Sequence, residues 1–167
     1  MNEKNNRDIA LQKYAAARSN LLVMVCFTLV NIVLLFLKAD VMMLFSATVP
    51  YFAAVLGLVD ESGLLLVPGI LIAAIGLIVY FLCWLLSKKN YGWMIAALVL
   101  FILDTAALIG LYVWTGDFSG ILDLAIHIWV LYYLIVGVKY GKQLKNMPEE
   151  VPEVQMEQPP EPTCVEN

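Results

Sequence analysis

VMMLFSATVPYFAAVLGLV, residues 41–59, decides the fold. The stretch carries no charge, and at about 1.5 Å rise per residue it approaches the roughly 30 Å of a bilayer's hydrocarbon core. Read as a span, it makes five crossings; read as something shorter, it leaves four. Pro50 argues for the shorter reading, because a proline inside a helix removes one backbone hydrogen bond and clashes with the preceding turn. Thr48 is suited to cap a fresh helix with Pro50 in its first turn. A helix from Val49 to Val59 is then about 16 Å long, roughly half a bilayer. The expectation is a re-entrant or interfacial segment ending at Asp60-Glu61-Ser62-Gly63 and buried at its broken point against protein or a wet cavity. Membrane helices do tolerate proline, so a fifth span stays open at this point.

The flanking charges carry the second argument. Four other apolar runs, 21–37, 64–86, 92–114 and 121–138, are each long enough to cross a membrane. With four spans, nine of the ten Lys and Arg residues fall on one side: Lys4, Arg7, Lys13 and Arg18 before the first run, Lys88 and Lys89 between the second and third, and Lys139, Lys142 and Lys145 after the fourth. Lys38 alone lies opposite. A fifth span would split the ten as four and six. The positive-inside bias favours the nine-to-one partition, with both termini cytoplasmic in a multi-pass protein of the plasma membrane. The expected fold is therefore all-α: a polytopic membrane bundle of four transmembrane helices plus the segment at 41–59.

Composition agrees. The 167 residues are 62% hydrophobic and 14% charged, where a soluble domain is roughly 45–50% apolar. One membrane domain, residues 21–146, fits between a juxtamembrane leader, residues 1–20, and a tail, residues 147–167. The tail holds six Glu and five of the seven Pro with no Lys or Arg, which reads as a disordered cytoplasmic extension. The net charge of −4 comes from that tail; the rest has ten basic against eight acidic side chains. No basic folded surface for nucleic acid is implied. The three cysteines form no C-x-x-C pair, so no zinc cluster or redox motif is expected; Cys26 and Cys83 read as buried packing residues. No cofactor is implied. The last four residues lack the aliphatic middle and basic upstream stretch of a prenylation box.

Asp104 stands out, near the centre of the third span, where an acid costs about 2.5–3.5 kcal/mol to insert. Such residues face a bundle interior or a wet cavity. His127, the only histidine, and Asn31 come to similar depth, within about 5 Å by helical rise. Asp123 and His127 share a face at i, i+4. Asn20, Met24, Thr28, Asn31, Leu35 and Lys38 form a semi-polar stripe on the first span. The plainer reading of these residues is interhelical hydrogen bonding; the sharper one is a proton or cation relay through Asp104 and His127. Asp-x-x-x-His offers only two metal ligands, too few for zinc, and no G-x-S-x-G surrounds Ser46, so no enzyme is expected. Trp129, inside the fourth span, reads as packing bulk or the wall of a cation cavity. Gly69, Ala73 and Gly76 give the second span a small-residue face for close contact, within the chain or with a partner, while Gly137-x-x-x-Gly141 has the same spacing at the membrane boundary.

The chain also resembles small four-span bacterial integral membrane proteins with no assigned function. The matching residues are Arg18-Ser19-Asn20-Leu21-Leu22, Leu44-Phe45-Ser46-Ala47 with Pro50-Tyr51, Gly92-Trp93-Met94, Asp104-Thr105, and His127 with Trp129 and Tyr132-Tyr133. The resemblance spans most of residues 14–146 and implies the four-span arrangement but no chemistry. Two function classes follow: a non-enzymatic accessory or interaction protein of the bacterial membrane, or a small proton- or cation-coupled transporter using a midplane acid. Beyond the lipid bilayer, the expected partners are a second copy of the chain or a larger membrane complex.

Overall fold

The computed structural model describes residues 3–39, 46–116 and 120–147, and five helices account for most of them. They are α1 (Glu3–Phe36), α2 (Thr48–Val59), α3 (Leu66–Leu86), α4 (Gly92–Thr115) and α5 (Ile121–Asn146). No strand occurs among the described residues. All but α2 are long and apolar enough to cross a membrane, so the chain is a multi-pass membrane bundle. The first five residues of the 41–59 segment, Asp117 and the acidic tail beyond Met147 lie outside the described residues.

The juxtamembrane leader continues into the first span as one helix: α1 runs unbroken through both. It ends on Lys38 in the left-handed region (φ 53°), with the Ala39 N–H donating back to the Leu34 carbonyl at 3.0 Å. That is the usual way a helix satisfies its last carbonyls. At the other end of the molecule α5 continues to Asn146, well past the apolar run that closes at Val138.

α2 is a half-length helix. It lies antiparallel to the first half of α3, and the small-residue face of α3 is what receives it. Ala54 and Ala73 are both buried in this seam. A Cβ built on Gly69 would come within 2.5 Å of the Ala53 carbonyl oxygen, and one on Gly76 within 2.8 Å of Pro50 Cγ. Close backbone approach of this kind drives helix association in lipid, where apolar burial between helices gains little. The Gly69, Ala73, Gly76 face is thus consumed inside the chain. A matching seam joins α1 to α5: a Cβ on Gly137 would meet Ala17 Cβ at 2.7 Å, and one on Gly141 the Tyr14 ring at 2.8 Å.

Phe101, Leu21, Met24, Met94, Leu134 and Val130 fill the space between α1, α4 and α5. Large apolar side chains cover the outside, among them Ile72, Ile75 and Ile78 on α3 and Ile128 and Ile135 on α5. Cys26 is exposed on this outer surface, unlike buried Cys83, so only one of the two cysteines packs the interior as expected.

Arg18 ties the lysine-rich end together in a way its charge alone does not announce. Its Nε donates to Ser87 Oγ at 3.0 Å and its guanidinium to the Trp84 carbonyl at 3.3 Å. The same guanidinium lies 5.7 Å from the Trp84 ring centroid. A cation is placed on the last carbonyls of α3, where the helix dipole favours it. At the opposite end, the Asp60 carboxylate folds the α2–α3 turn by accepting from Leu65 N at 2.8 Å and from Ser62 Oγ at 2.7 Å.

Two expectations follow. Gly69→Ala should lower thermal stability in detergent by about 1–3 kcal/mol, the usual range for overpacking, because its Cβ meets backbone; Gly110→Ala, whose Cβ meets nothing within 4 Å, should not. Equal effects would disprove the α2–α3 seam. The hydrogen bonds from Leu65 and then Ser62 hold the Asp60 carboxyl below the ordinary carboxylate range. A depressed folded value stabilises the turn above the unfolded pKa, about 3.9, and that contribution is lost as pH falls through the folded value. The protection of the Leu64 and Leu65 amides, corrected for their intrinsic exchange rates, should therefore fall only in acid, and Asp60→Asn should remove that loss.

Candidate functional site

The start of α2 is the most constrained place in the molecule. A helix leaves its first four N–H groups without intrahelical partners, and water is not at hand inside a bilayer to meet them. Here every one of the four is accounted for. The Ala47 N–H donates to Thr28 Oγ1 at 2.8 Å. The Thr48 N–H donates to Asp104 Oδ2 at 2.8 Å, and the Val49 N–H to Asp104 Oδ1 at 2.7 Å. The fourth position is Pro50, which has no N–H to satisfy.

The cap therefore comes from across the bundle. The sequence reading has Thr48 capping its own helix; instead Ala47 is the N-cap residue and no local side chain closes the turn. The Thr48 hydroxyl points away, 3.2 Å from His127 Nε2. Thr28 can accept from Ala47 because its own proton goes to the Met24 carbonyl at 2.8 Å. Asp104 is 2% exposed and Thr28 fully buried, so these bonds form away from solvent.

His127 sits beside this cap and is held on several sides. Its Nδ1 lies 3.0 Å from the Asp123 carbonyl one turn earlier, and its Nε2 lies 3.4 Å from Asp104 Oδ2. The Phe101 ring stacks on it with centroids 5.0 Å apart and planes 12° from parallel. Nδ1 facing a carbonyl must carry the proton. A neutral ring then leaves Nε2 to accept from the Thr48 hydroxyl, and a protonated ring donates from Nε2 towards Asp104. Asp123 Oδ1 stands 3.6 Å from Nδ1 and is a buried oxygen with no hydrogen-bond partner.

Of the five residues singled out from sequence, the fold brings Asp104, His127 and Asp123 into one row. Asn31 is buried at 1% exposure, nearly one turn beyond Thr28 on the same face of α1. Trp129 does not join them: it is 46% exposed on the outer face of α5, its ring edge-on to Tyr133 at 5.1 Å. Thr28, which sequence reading places only within a stripe, is a direct partner of α2. Its spacing from Met24 and Asn31 was the available signal; which segment it would serve was not.

On the lysine-rich side of Asp104, the buried residues of α1, α4 and α5 are apolar: Leu21, Phe101, Ala97, Met94, Val130 and Leu134. Thr105 turns its hydroxyl to its own helix, donating to the Phe101 carbonyl at 2.8 Å. Towards the membrane, a cavity of about 350 Å³ between α2, α3 and α4 reaches Asp104 past Pro50, Gly76 and Tyr80. Among the described residues no group of three or more His, Cys, Asp or Glu side chains is placed to hold a metal.

This geometry changes what an amide does at position 104. Asparagine keeps one acceptor but turns an NH2 towards a backbone N–H, so Asp104→Asn should cost about 1–3 kcal/mol, the penalty of one unsatisfied buried donor. Asp104→Leu leaves two donors unmet and should prevent recovery of folded protein. Thr28→Val, isosteric but without an acceptor, should cost about as much as Asp104→Asn. Thermal unfolding in nanodiscs measures all three; an Asp104→Asn protein as stable as the parent would refute the cap.

No known protein family, curated protein or solved structure matches the chain.

Proposed function

We propose that the chain is a non-enzymatic accessory or interaction protein of the bacterial plasma membrane, with both termini cytoplasmic. The observation that carries this reading is the employment of Asp104: both of its oxygens are taken by α2 backbone N–H groups. An intramembrane acid marks an ion path by default, but this one has a structural duty that accounts for its presence. The apolar packing between it and the lysine-rich end supports the same conclusion. The remaining surface is broad, apolar helix faces suited to lipid or to another membrane protein. The nine-to-one charge partition supports the orientation.

One observation favours a second reading. The orphaned Asp123 Oδ1 beside His127, with Asp104 on the ring's far side, forms an acid–imidazole–acid row. Such a row is the minimal apparatus of a proton-coupled carrier, and Asp123 rather than Asp104 is then the acid free to exchange.

Proton flux into liposomes loaded with a pH-sensitive dye separates the readings. The accessory reading expects the reconstituted chain to match protein-free liposomes, and to run in native-lipid nanodiscs within a larger assembly. Flux abolished by Asp123→Asn with unchanged thermal stability, from a tight homo-oligomer, would establish the carrier. Orientation is checked by impermeant thiol labelling of single cysteines in a background lacking Cys26, Cys83 and Cys164. Asp60→Cys should label from outside and Lys89→Cys only after lysis; the opposite pattern inverts the topology.

A further inference from the structure

At the lysine-rich end, a second cavity of about 460 Å³ opens between the start of α1, the α3–α4 turn and the end of α5. Three lysines line it, Lys88 and Lys89 on the turn and Lys145 on α5, and among the described residues no acid does. Among the described residues none of these three lysines has a carboxylate partner. Three like charges crowded round a concavity repel one another unless an anion joins them.

The walls are built rather than frayed. Lys145 Nζ is held 5.6 Å from the Tyr91 ring centroid. Gly141 lets the Tyr14 ring and the Tyr91 Cβ approach where a Cβ would come within 2.9 Å of both. Tyr14 is fixed in turn by donating to the Ser87 carbonyl at 2.6 Å. Asn90 spends its oxygen on the Gly92 N–H at 2.9 Å, which leaves its amide NH2 as a further donor at the rim. The lysine ammonium groups and this amide are donors, and the surroundings, Leu11 and Leu144, are apolar.

The cavity lies just beyond the ends of the membrane-crossing stretches of α3 and α4, at the level where lipid head groups sit. Lysine stems reach along apolar surface and put their charge at that level, and basic pockets between helices take acidic phospholipid heads. We propose that this cavity binds the phosphate of an anionic lipid head group. Separate ammonium groups suit the charge that a phosphodiester spreads over its two non-bridging oxygens, and the mixed apolar wall suits the glycerol and first methylenes attached to it.

The test uses the full chain reconstituted in vesicles of one part phosphatidylglycerol to nine parts phosphatidylcholine, extracted in mild detergent, with the retained lipid identified by mass spectrometry. The phosphatidylglycerol-to-phosphatidylcholine ratio of the retained lipid should exceed the bulk ratio at least about tenfold, and Lys88→Gln/Lys89→Gln/Lys145→Gln should abolish the enrichment. Lys13→Gln/Lys139→Gln/Lys142→Gln removes equal charge at residues that do not line the cavity and should keep it, with both variants matched for thermal stability. Inorganic phosphate distinguishes the source of the phosphate: enrichment that survives 10 mM phosphate belongs to the lipid, and enrichment lost to it assigns the cavity to free phosphate and overturns the lipid reading. Equal losses in the two triple variants would overturn the site altogether. So would a lysine effect that disappears when residues 148–167 are deleted, because the six Glu of that segment would then be the anion the lysines serve.

Discussion

The buried beginning of α2 is the constraint to which the rest of the fold answers. A chain that starts a helix inside a bilayer exposes N–H groups where each unmet one costs several kcal/mol. Satisfying them takes two other helices and a proline: Thr28 from α1, Asp104 from α4, and Pro50 within α2 itself. A carboxylate suits the central place because it offers two acceptors side by side to two neighbouring N–H groups. It also brings negative charge to the positive end of the α2 dipole. Placing an acid at this depth costs about 2.5–3.5 kcal/mol, and two charge-assisted bonds at about 1.5–3 kcal/mol each are of the size needed to offset that.

Fixing the start of α2 fixes its partners. The helix runs from Asp104 to the Asp60 turn along one face of α3, and the face is made of Gly57, Ala54 and Pro50 against Gly69, Ala73 and Gly76. Because α2 is held at both ends by acids, Asp104 at its start and Asp60 at its finish, its sliding along α3 is opposed at two points. Asp104 belongs to α4 and Thr28 to α1, so the same bonds that complete α2 also set the positions of α1 and α4 around it. His127 then occupies the gap between α4 and α5, ring against Phe101. The polar residues are a bracket, and the helices are hung on it.

Much of this is readable in the sequence, and the limits are physical. Helix number and length follow from apolar runs, since a bilayer sets a length that composition must meet. Pro50 and the lysine partition reduce 41–59 to a half-length helix, which is what Thr48–Val59 is. The burial of Asp104 and His127 follows from the cost of leaving them in lipid. What the chain does not declare is which helical faces meet. Trp129 sits only two residues beyond His127, which at 100° per residue turns it to the opposite side of α5, yet nothing local says which side is inward. Thr48 reads as a cap from propensity, but its helix starts in a place where an acid from 56 positions later is available, and the carboxylate wins over the hydroxyl. Gly137 and Gly141 read as a weak signal because the pair straddles the membrane boundary, yet Tyr14 and Ala17 of α1 pack closely there.

The two ends of the bundle are built on opposite principles, and that contrast bears on what the protein does. At the Asp104 level, donors and acceptors are nearly balanced: three N–H groups and a hydroxyl face two carboxylate oxygens, a threonine oxygen and an imidazole. Only Asp123 Oδ1 is left over. A site so nearly closed on itself has little left with which to recognise a solute, and its natural role is to hold shape. At the lysine-rich end the balance is one-sided, with lysines and an amide NH2 gathered round a cavity that no acid borders among the described residues. Unmet valence is where a membrane protein meets something outside itself. An interior this nearly saturated, beside a head-group end that is not, supports the accessory reading proposed above over a solute path through the core.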